Sequence, residues 1–508
     1  MDYLRSLALA AFAILLLRVF NKLLGSWHRH LPFPPGPSPQ LLVGNLRDLP
    51  KKHPRMTYTE WGARYGDLVH ASVMGQHIVI VNSAKTANEL FEKRAPIYSG
   101  RPFVPTAELL GFGFSTVMLP LGDKWRETRR MFQQHFRRDA LQTYRPVHMN
   151  KIHQLLQGLL SSPQDFRELL KTLAAAIIMS TVYGYEVKPE NDRFVTIAES
   201  AVKKISESFL PGVAIVNTFP VLRHLPLWML GADFQCFAAE CRQLTQEMQK
   251  LPFEFVKQNM RDGVDSKSAV AKLLKASEAR GRSDEDTIQE VAATAYAAGA
   301  DTLSPLFSLP WRSTLISKRR RKNEIDVVVD THRLPEFNDR PSLPFVEALY
   351  REVMRWKPVV PLGIVHATTT DDIYNGYFIP KGATVISNIW AMTRDESVFP
   401  EPNRFNPDRF FTADGKLNDD DTVLAFGFGR RVCAGRHLAD TTVWATIVSV
   451  LSTFNITKAK DAAGNEIDID PQYSDTLISH PEPFVCSITP RSQTAKSLIQ
   501  ATVEIPVA

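Results

Sequence analysis

One cysteine in the C-terminal part of the chain lies in a highly specific sequence, Phe426-Gly-Phe-Gly429-Arg-Arg431-Val-Cys433-Ala-Gly435. The pattern F-x-x-G-x-R-x-C-x-G has a chance expectation of roughly 4 in 100,000 for a chain of this composition. Glycines at 429 and 435 allow close backbone approach because they lack a Cβ. The following run, Arg436–Phe454, predicts a helix whose N-terminal end favours a thiolate. We therefore predict that Cys433 is a metal ligand rather than an inert buried cysteine.

Two further motifs support a family assignment together with the cysteine. Glu352-Val-Met-Arg355 alone is weak, because i, i+3 ion pairs occur on many helices. Phe405-Asn-Pro-Asp-Arg409-Phe410 follows it downstream. Together the motifs resemble the cytochrome P-450 superfamily of haem-thiolate monooxygenases, over nearly all residues from 34 to 488. The segment 358–411 looks most like fungal microsomal members of secondary or xenobiotic metabolism.

The resemblance implies a cofactor, heme b, with Cys433 as the axial thiolate ligand of its iron. Arg431 would then reach a haem propionate. Glu352, Arg355 and Arg409 would form a buried network with a structural role, in which the arginine at 409 completes a Glu–Arg–Arg cluster that holds the segment leading to the cysteine.

Two more basic sites match positions where the family holds the propionates. Trp125-Arg-Glu-Thr-Arg129 fits the family's W-x-x-x-R, and at 100° per residue Trp125 and Arg129 share a helix face. The alternative is an ordinary core tryptophan on an amphipathic helix. His366, in PLGIVHATT, occupies the place of a basic propionate ligand. A buried histidine with satisfied hydrogen bonds is the alternative there.

Residues 298–302, AGADT, are similar to the family's oxygen-activating A-G-x-D-T sequence. The resemblance implies two catalytic residues: Thr302 would hydrogen-bond the distal oxygen of dioxygen, and Asp301 would help to pass protons inward. The alternative is that the Thr302 hydroxyl only bonds the carbonyl four residues earlier, as threonines inside helices commonly do.

Downstream of Thr302 the sequence departs from the family. Pro305 and Pro310 each remove a backbone donor and clash with the carbonyl four residues earlier, so they predict an interrupted helix. Basic residues then occupy 318–322, where apolar positions should recur, and family-like sequence resumes near residue 323. A frame slip, a misplaced splice site or a genuine variant would each produce the segment 303–322, which leaves catalytic competence open.

The elements that must position these residues are mostly helical. Apolar residues recur at helical spacing in Asp123–Arg138, Asp286–Thr302 and Leu343–Trp356. Short alternating runs at Leu68–Val81 and Ala383–Asn388 predict strands. No linker or repeat divides the chain beyond Gln40, so we expect a mainly α protein with small β-sheets, in which residues 41–508 form a single large haem-thiolate monooxygenase domain.

The first 24 residues predict a transmembrane signal anchor. The run from Leu4 to Leu24 is almost wholly apolar, and Arg18 and Lys22 can extend to the interface. No small-residue cleavage site follows, and the positive charges lie after the run, so we expect a retained single-pass anchor with the catalytic domain facing the cytosol. Residues 25–40, which include LPFPPGP, predict a stiff proline-rich hinge. The microsomal resemblance implies the endoplasmic reticulum membrane.

Composition excludes several other classes. The chain has 508 residues, of which 44% are hydrophobic and 22% charged, so it is not wholly disordered. Four cysteines are too few and too scattered for a disulfide framework or a zinc ribbon. The formal net charge of +6 is weak evidence for nucleic acid, and we expect none.

The favoured function is a membrane-bound haem-thiolate monooxygenase that oxidises an apolar small molecule with O2 and electrons from NADPH-cytochrome reductase. The resemblance places its pocket around residues 103–114, Ala298, residues 359–362 and residues 477–478, with membrane lipid as a further partner. One alternative is a reductase-independent haem-thiolate isomerase or dehydratase, against which Asp301 and Thr302 argue. The other is a non-catalytic or impaired haem-binding protein, which the segment 303–322 supports.

A basic surface is the candidate reductase contact. On a helical wheel, Arg126, Arg130 and Arg137 cluster within about 40° of one another, away from Trp125 and Arg129. We call these three residues the arginine surface. Family resemblance favours docking of an acidic flavin domain there, steered by charge. A solvated basic face without a partner is the alternative.

Overall fold

The computed structural model describes residues 31–189, 191–208, 215–218, 223, 233–264, 266–313, 324–419, 423–468 and 472–504. The predicted anchor over residues 1–24 lies outside this part of the chain. Among the described helices, none combines the length and the apolar character that a membrane crossing requires.

Helices dominate the described chain. The longer ones are α1 (Pro54–Tyr65), α2 (Asp123–Phe136), α3 (Arg145–Ser161), α4 (Phe166–Tyr183), α5 (Arg193–Ser208), α6 (Asp233–Arg261), α7 (Ala269–Ala279), α8 (Glu285–Ser313), α9 (Pro344–Trp356), α10 (Arg436–Thr453) and α11 (Gln493–Ala501). Short helical segments lie at Ala84–Ala87, Asn88–Lys93, Ala95–Tyr98, Pro105–Leu109, Phe112–Phe114, Ala140–Tyr144, Pro163–Asp165, Ile215–Thr218, Phe337–Ser342, Ile389–Met392, Pro407–Phe410, Leu424–Phe426, Gly429–Arg431 and Thr502–Glu504. The helices predicted from periodicity before the site and after the cysteine are confirmed as α2, α8, α9 and α10.

The strands form three small sheets. They are β1 (Leu68–Val73), β2 (Gln76–Val81), β3 (His366–Ala367), β4 (Asp372–Tyr374), β5 (Tyr377–Ile379), β6 (Thr384–Ser387), β7 (Phe454–Lys458) and β8 (Cys486–Pro490). The largest sheet has the order β1-β2-β6-β3, and the pairs β4-β5 and β7-β8 are two-stranded antiparallel sheets. The predicted strand region at 68–81 is a hairpin that turns at Met74 and Gly75, both with positive φ. The prediction of a mainly helical protein with small sheets is confirmed.

Helices α4 and α8 form the centre of the protein. The sequence of α4 is apolar on nearly all sides from Leu173 to Tyr183, and its side chains there are buried accordingly. Ile288, Val291 and Ala292 of α8 are buried in the same core. Gly299 allows the two helices to approach, because a Cβ there would lie 2.6 Å from Cδ1 of Ile178. The two helices are therefore closely packed at Gly299, which belongs to the predicted oxygen-activating sequence.

The prediction of an interrupted helix after Thr302 is wrong. Helix α8 continues through Pro305 and Pro310 to Ser313. A proline removes one backbone donor at its own position, and tertiary packing can carry a helix through that loss. Residues 314–323, which include the basic run, lie outside the described chain.

The described part of the proline-rich segment is docked on the largest sheet. The ring of Phe33 stacks on His70 with centroids 4.6 Å apart, and the His70 amide donates to the Pro35 carbonyl at 2.9 Å. A Cβ at Gly36 would lie 1.9 Å from the His70 carbonyl oxygen, so glycine is required for this contact. Residues 31–37 thus follow the sheet surface in an extended conformation.

Candidate active site

The cysteine loop has a backbone conformation that only its glycines allow. Gly427 and Gly429 have φ of 73° and 57°. A Cβ at Gly429 would lie 2.1 Å from the carbonyl oxygen of Phe91, so glycine is required here by a contact with protein backbone. A Cβ at Gly435 would meet no protein atom within 4 Å. The Cys433 amide donates to the Phe426 carbonyl at 2.9 Å, which closes the loop.

The Cys433 thiol lies inside the molecule but faces open space. The residue is accessible to a water-sized sphere, while burial raises the pKa of its thiol. The Gly435 amide and the charges of Arg129 and Arg436 lower that pKa in part. A metal cation at the sulfur is the kind of charge that reverses this balance.

Three arginines that interact electrostatically in series, Arg101 with Arg431 and Arg431 with Arg129, lie next to the cysteine loop without a carboxylate partner. The side chains of Arg101, Arg129 and Arg431 make no ion pair with any acid among the described residues, and their hydrogen bonds go to backbone carbonyls. Burial and mutual repulsion lower the pKa of Arg101 to about 9, and burial and Arg129 lower that of Arg431 to about 10. Unpaired buried cations are costly, so this cluster is a site for an anion.

Arg431 retains a donor for that anion. Its Nε and Nη2 donate to the carbonyls of Ser99 and Leu119, both at 2.9 Å, whereas Nη1 is buried without a hydrogen-bond partner. The guanidinium lies over the ring of Trp125, 4.5 Å from its centroid. Trp125 is itself buried and precedes Arg129 by one helical turn on α2. The structure thus brings Trp125, Arg129 and Arg431 together, as the sequence predicted.

His366 is in the same cluster but in a neutral state. Burial, followed by the charge of Arg101, lowers the pKa of His366 to about 3. Its Nδ1 lies 2.7 Å from the Tyr98 carbonyl, to which the neutral ring donates. Nε2 then carries no proton and accepts rather than donates. The alternative of a satisfied buried histidine therefore describes the protein alone, and an anion held by the arginines would favour the charged ring.

The predicted Glu–Arg–Arg contact is present. Glu352 is fully buried, and its carboxylate accepts from Arg355 Nε at 2.7 Å and Nη2 at 2.8 Å. Arg409 Nε lies 3.3 Å from the same carboxylate, and the Asn406 amide donates to it at 2.8 Å. Arg355 also donates to the Thr393 carbonyl at 2.8 Å. The network ties α9 to the segment that leads toward the cysteine loop.

The two predicted catalytic residues are both engaged by other groups. The Thr302 hydroxyl donates to the Ala298 carbonyl at 2.7 Å, which is the alternative foreseen for a helix threonine. The Asp301 carboxylate lies 3.1 Å from Nε2 of His480. Neither side chain is directed at the other by a hydrogen bond among the described residues. Any proton transfer between them requires a rotation of at least one side chain.

Two residues of this region were not identified from the sequence. Arg101 follows Gly100 in a loop without a motif of its own, and His480 lies in a loop near the C-terminus. Their positions depend on contacts between segments far apart in the chain. For Arg101, the only local signal in the sequence was a basic residue without an acid close by.

The arginine surface differs from the helical-wheel prediction. Helix α2 ends at Phe136, and Arg137 has an extended backbone with ψ of 158°. Only Arg126 and Arg130 therefore share a helix face. All three side chains are exposed, and Arg126 and Arg137 each pair with an adjacent aspartate, Asp123 at 3.2 Å and Asp139 at 3.0 Å.

An accessible thiol beside unpaired cations, in a mainly helical domain, defines a site for a metal cofactor that carries anionic groups. Haem has this composition, since its iron takes an axial thiolate and its propionates are carboxylates. The residues present therefore fit haem.

Comparison with known proteins identifies the family. The family model for cytochrome P-450 matches residues 34–487. The chain is similar to the cytochrome P-450 monooxygenase COX2 of Coprinopsis cinerea, with 37% identity over 94% of this chain and 93% of that protein. It is likewise similar to the cytochrome P-450 monooxygenase ple1 of Rhodocybe pseudopiperita, with 38% identity over 93% of this chain and 92% of that protein. The chain belongs to the cytochrome P-450 family. It is a haem-dependent monooxygenase, and its cofactor is haem.

Proposed function

We propose that Cys433 ligates the haem iron and that the neighbouring basic residues hold the propionates. The observation that carries this proposal is the cluster of half-buried Arg101, Arg129 and Arg431, which have no carboxylate partner in the described part of the chain, near an accessible thiol. His366 joins the cluster by gaining a proton when the propionates bind. Trp125 joins it because the Arg431 guanidinium lies over its ring. When bound, the haem supplies reductive activation of dioxygen and transfer of one oxygen atom to the substrate.

The substrate in this proposal is an apolar small molecule. The segments expected to form its pocket supply aromatic and aliphatic side chains, and Phe112 and Phe114 stack with centroids 6.1 Å apart. The Ser479 amide donates to the Val359 carbonyl at 2.7 Å, which ties residues 359–362 to the residue that follows 477–478. A pocket of this composition gains free energy mainly by removing apolar surface from water.

In the same proposal, Asp301 and Thr302 deliver protons. A carboxylate and a hydroxyl on adjacent residues of α8 can exchange a proton once their side chains rotate toward each other. The pairing of Asp301 with His480 keeps the carboxylate inside the protein in a defined orientation. Glu352, Arg355 and Arg409 have a structural part, because they hold the backbone that precedes the cysteine loop.

Electrons come from NADPH-cytochrome reductase at the arginine surface, with the chain held at the endoplasmic reticulum membrane by its N-terminal segment. Helix α2 carries Arg126 and Arg130, and its Arg129 donates to the Val432 carbonyl next to the cysteine. The exposed charges thus lie on the helix that contacts the thiol loop, which is where an electron donor must approach.

A carbon-monoxide difference spectrum of the reduced protein tests the cofactor site. We expect a Soret band shifted far to the red, which indicates thiolate ligation, and its loss in Cys433→Ala. Cys236→Ala is the matched control, because Cys236 is an exposed free cysteine and its replacement should leave the band unchanged. A red-shifted band that persists in Cys433→Ala would refute the assignment.

Reduction kinetics test the partner. Replacement of the arginine surface by three glutamates should slow reduction by the reductase steeply at low salt, while haem content is unchanged, because screening limits charge steering to about 10 Å at 0.1 M salt. The control replaces three exposed arginines elsewhere, Arg64, Arg280 and Arg404. Equal rates in both variants would contradict this docking site. NADPH consumption by the wild-type chain separates a monooxygenase from an isomerase or an inactive haem binder.

A further inference from the structure

A histidine from the C-terminal part of the chain contacts the acid of the oxygen-activating helix. Nε2 of His480 lies 3.1 Å from Oδ1 of Asp301. The His480 side chain is 36% exposed and that of Asp301 is 27% exposed, so water reaches both groups although neither lies freely on the surface. His480 belongs to none of the sequence motifs, and its contact with α8 arises only in the folded chain.

The loop that carries His480 is held in place from several sides. Tyr473 and Pro481 form an antiparallel bridge, so residues 472–482 make a hairpin. The Ser474 amide donates to the His480 carbonyl at 2.8 Å, and the His480 amide donates to the Ser474 hydroxyl at 2.9 Å. The preceding residue, Ser479, is anchored by its amide to the Val359 carbonyl at 2.7 Å. The imidazole is therefore presented to Asp301 by a rigid support.

The outer side of this hairpin borders water. A surface cleft lies between the start of α1, the segment after α9 and the hairpin. The hairpin contributes Gln472, Tyr473 and Ser479 to its lining, and Arg55, Lys357 and Trp390 lie opposite. Asp475, at the outer end of the hairpin, pairs with Arg55 at 3.3 Å. Ser479, the residue before His480, thus lines this cleft, while His480 on the same hairpin contacts the acid of α8.

We propose that His480 positions Asp301 and supplies it with protons from solvent, so that the C-terminal hairpin carries a further residue of the reaction. This inference rests on the proposed function of Asp301. An imidazole can accept a proton at Nδ1 while it releases another from Nε2, which makes it a natural shuttle between water and a carboxylate.

The proton transfer is balanced without a further reactant. A hydronium ion of the solvent protonates Nδ1 and becomes water, while the N–H bond at Nε2 breaks and an O–H bond forms at Oδ1 of Asp301. The ring is neutral afterwards and returns to its first tautomer by exchange with water. Asp301 passes its proton inward toward Thr302 and again becomes the carboxylate that His480 holds.

The other charged groups near Asp301 do not provide this route. Glu199 of α5 interacts electrostatically with Asp301, and burial raises the pKa of Glu199. No hydrogen bond or ion pair joins it to Asp301 in the described chain. Lys171 and Glu168 of α4, which also act on Glu199, pair with each other at 2.9 Å near the surface. Asp475 of the hairpin is turned outward to Arg55.

The test compares two variants of the haem-loaded full chain supplied with reductase and NADPH. His480→Gln keeps a hydrogen-bond donor for Asp301 but cannot relay a proton, and His480→Phe loses both properties. Asp301→Asn reports the proposed role of the acid itself. His332→Gln is the matched control, because His332 is an exposed histidine far along the chain from the hairpin. The measurements are oxygen-dependent NADPH oxidation, its pH profile and its rate in D2O.

We expect His480→Gln to slow NADPH oxidation by about a hundredfold, the lower end of what a positioned proton donor contributes. The solvent isotope effect should rise, and the part of the pH profile that histidine contributes should disappear. A purely structural histidine would leave both readouts unchanged in His480→Gln, and that result would overturn the inference while leaving the proposed function intact. An unaffected Asp301→Asn, or a wild-type chain without the carbon-monoxide band, would refute the proposed function and the inference with it.

A second readout does not depend on activity. If His480 and Asp301 interact, the fall in melting temperature caused by His480→Phe should be smaller in the Asp301→Asn background, because the partner is already changed. Additive effects of the two substitutions would show that the contact is absent in solution and would overturn the inference.

Discussion

Replacement of Glu352 by glutamine removes one negative charge from the most buried ionic network of the site. The carboxylate is fully buried and accepts from Arg355, Arg409 and the Asn406 amide. Glutamine has nearly the same shape, so the change tests charge and hydrogen bonding rather than volume. Two buried guanidinium groups lose their shared anion.

The expected cost follows from that geometry. Removal of one partner of a buried ion pair destabilises a protein by about 3–5 kcal/mol, because the remaining charge stays desolvated and unpaired. Here two cations are left, and both keep hydrogen bonds to backbone carbonyls, such as Arg355 to Thr393 at 2.8 Å. We therefore expect a loss of about 3–5 kcal/mol, with reduced haem incorporation, because the network holds the segment that leads to the cysteine loop.

The assay is urea unfolding of the haem-loaded protein, followed by the Soret band and by tryptophan fluorescence. Glu401→Gln is the matched control: Glu401 pairs with Arg404 three residues on, as Glu352 does with Arg355, but at the surface, with side chains 71% and 62% exposed. An exposed pair contributes about 0–1 kcal/mol, so this control should barely move the midpoint. Equal midpoints for the two variants would refute the view that the buried network stabilises the fold.

Two further substitutions test the cofactor cluster and the cysteine loop. Arg431→Gln should speed haem transfer to apomyoglobin by about 10- to 100-fold, since a hydrogen bond to a charged group contributes about 1.5–3 kcal/mol. The control Arg430→Gln, at the exposed neighbouring residue, should leave the transfer rate unchanged. Equal transfer rates for Arg431→Gln and Arg430→Gln would contradict a propionate contact of Arg431. Gly429→Ala places a methyl group 2.1 Å from the Phe91 carbonyl oxygen and should lower both haem content and melting temperature. Gly464→Ala has a similar positive φ but open space around it, so it should show only the smaller backbone cost, and an equal loss in both would argue against the close approach.

Tertiary contacts changed several details of the sequence-based account. The prolines of α8 do not end the helix, since a helix packed along α4 tolerates the loss of single backbone bonds. Arg137 does not lie on the helix face predicted for it, because α2 ends at Phe136. Burial raises the pKa of the Cys433 thiol, which the Gly435 amide and the charges of Arg129 and Arg436 lower only in part. Each of these depends on what surrounds the segment rather than on the segment itself.

The sequence by itself determined the cysteine loop, the helix that carries both Trp125 and Arg129, and the pairing of Glu352 with Arg355. These features are local, because helix geometry sets side-chain neighbours within a few residues and glycine sets the turns a loop can make. Only the tertiary structure brought Arg101 to Arg431 and His480 to Asp301, pairs whose members lie far apart in the chain. Neither contact has a local sequence pattern, because burial and charge pairing between distant segments are decided when the helices pack around one core.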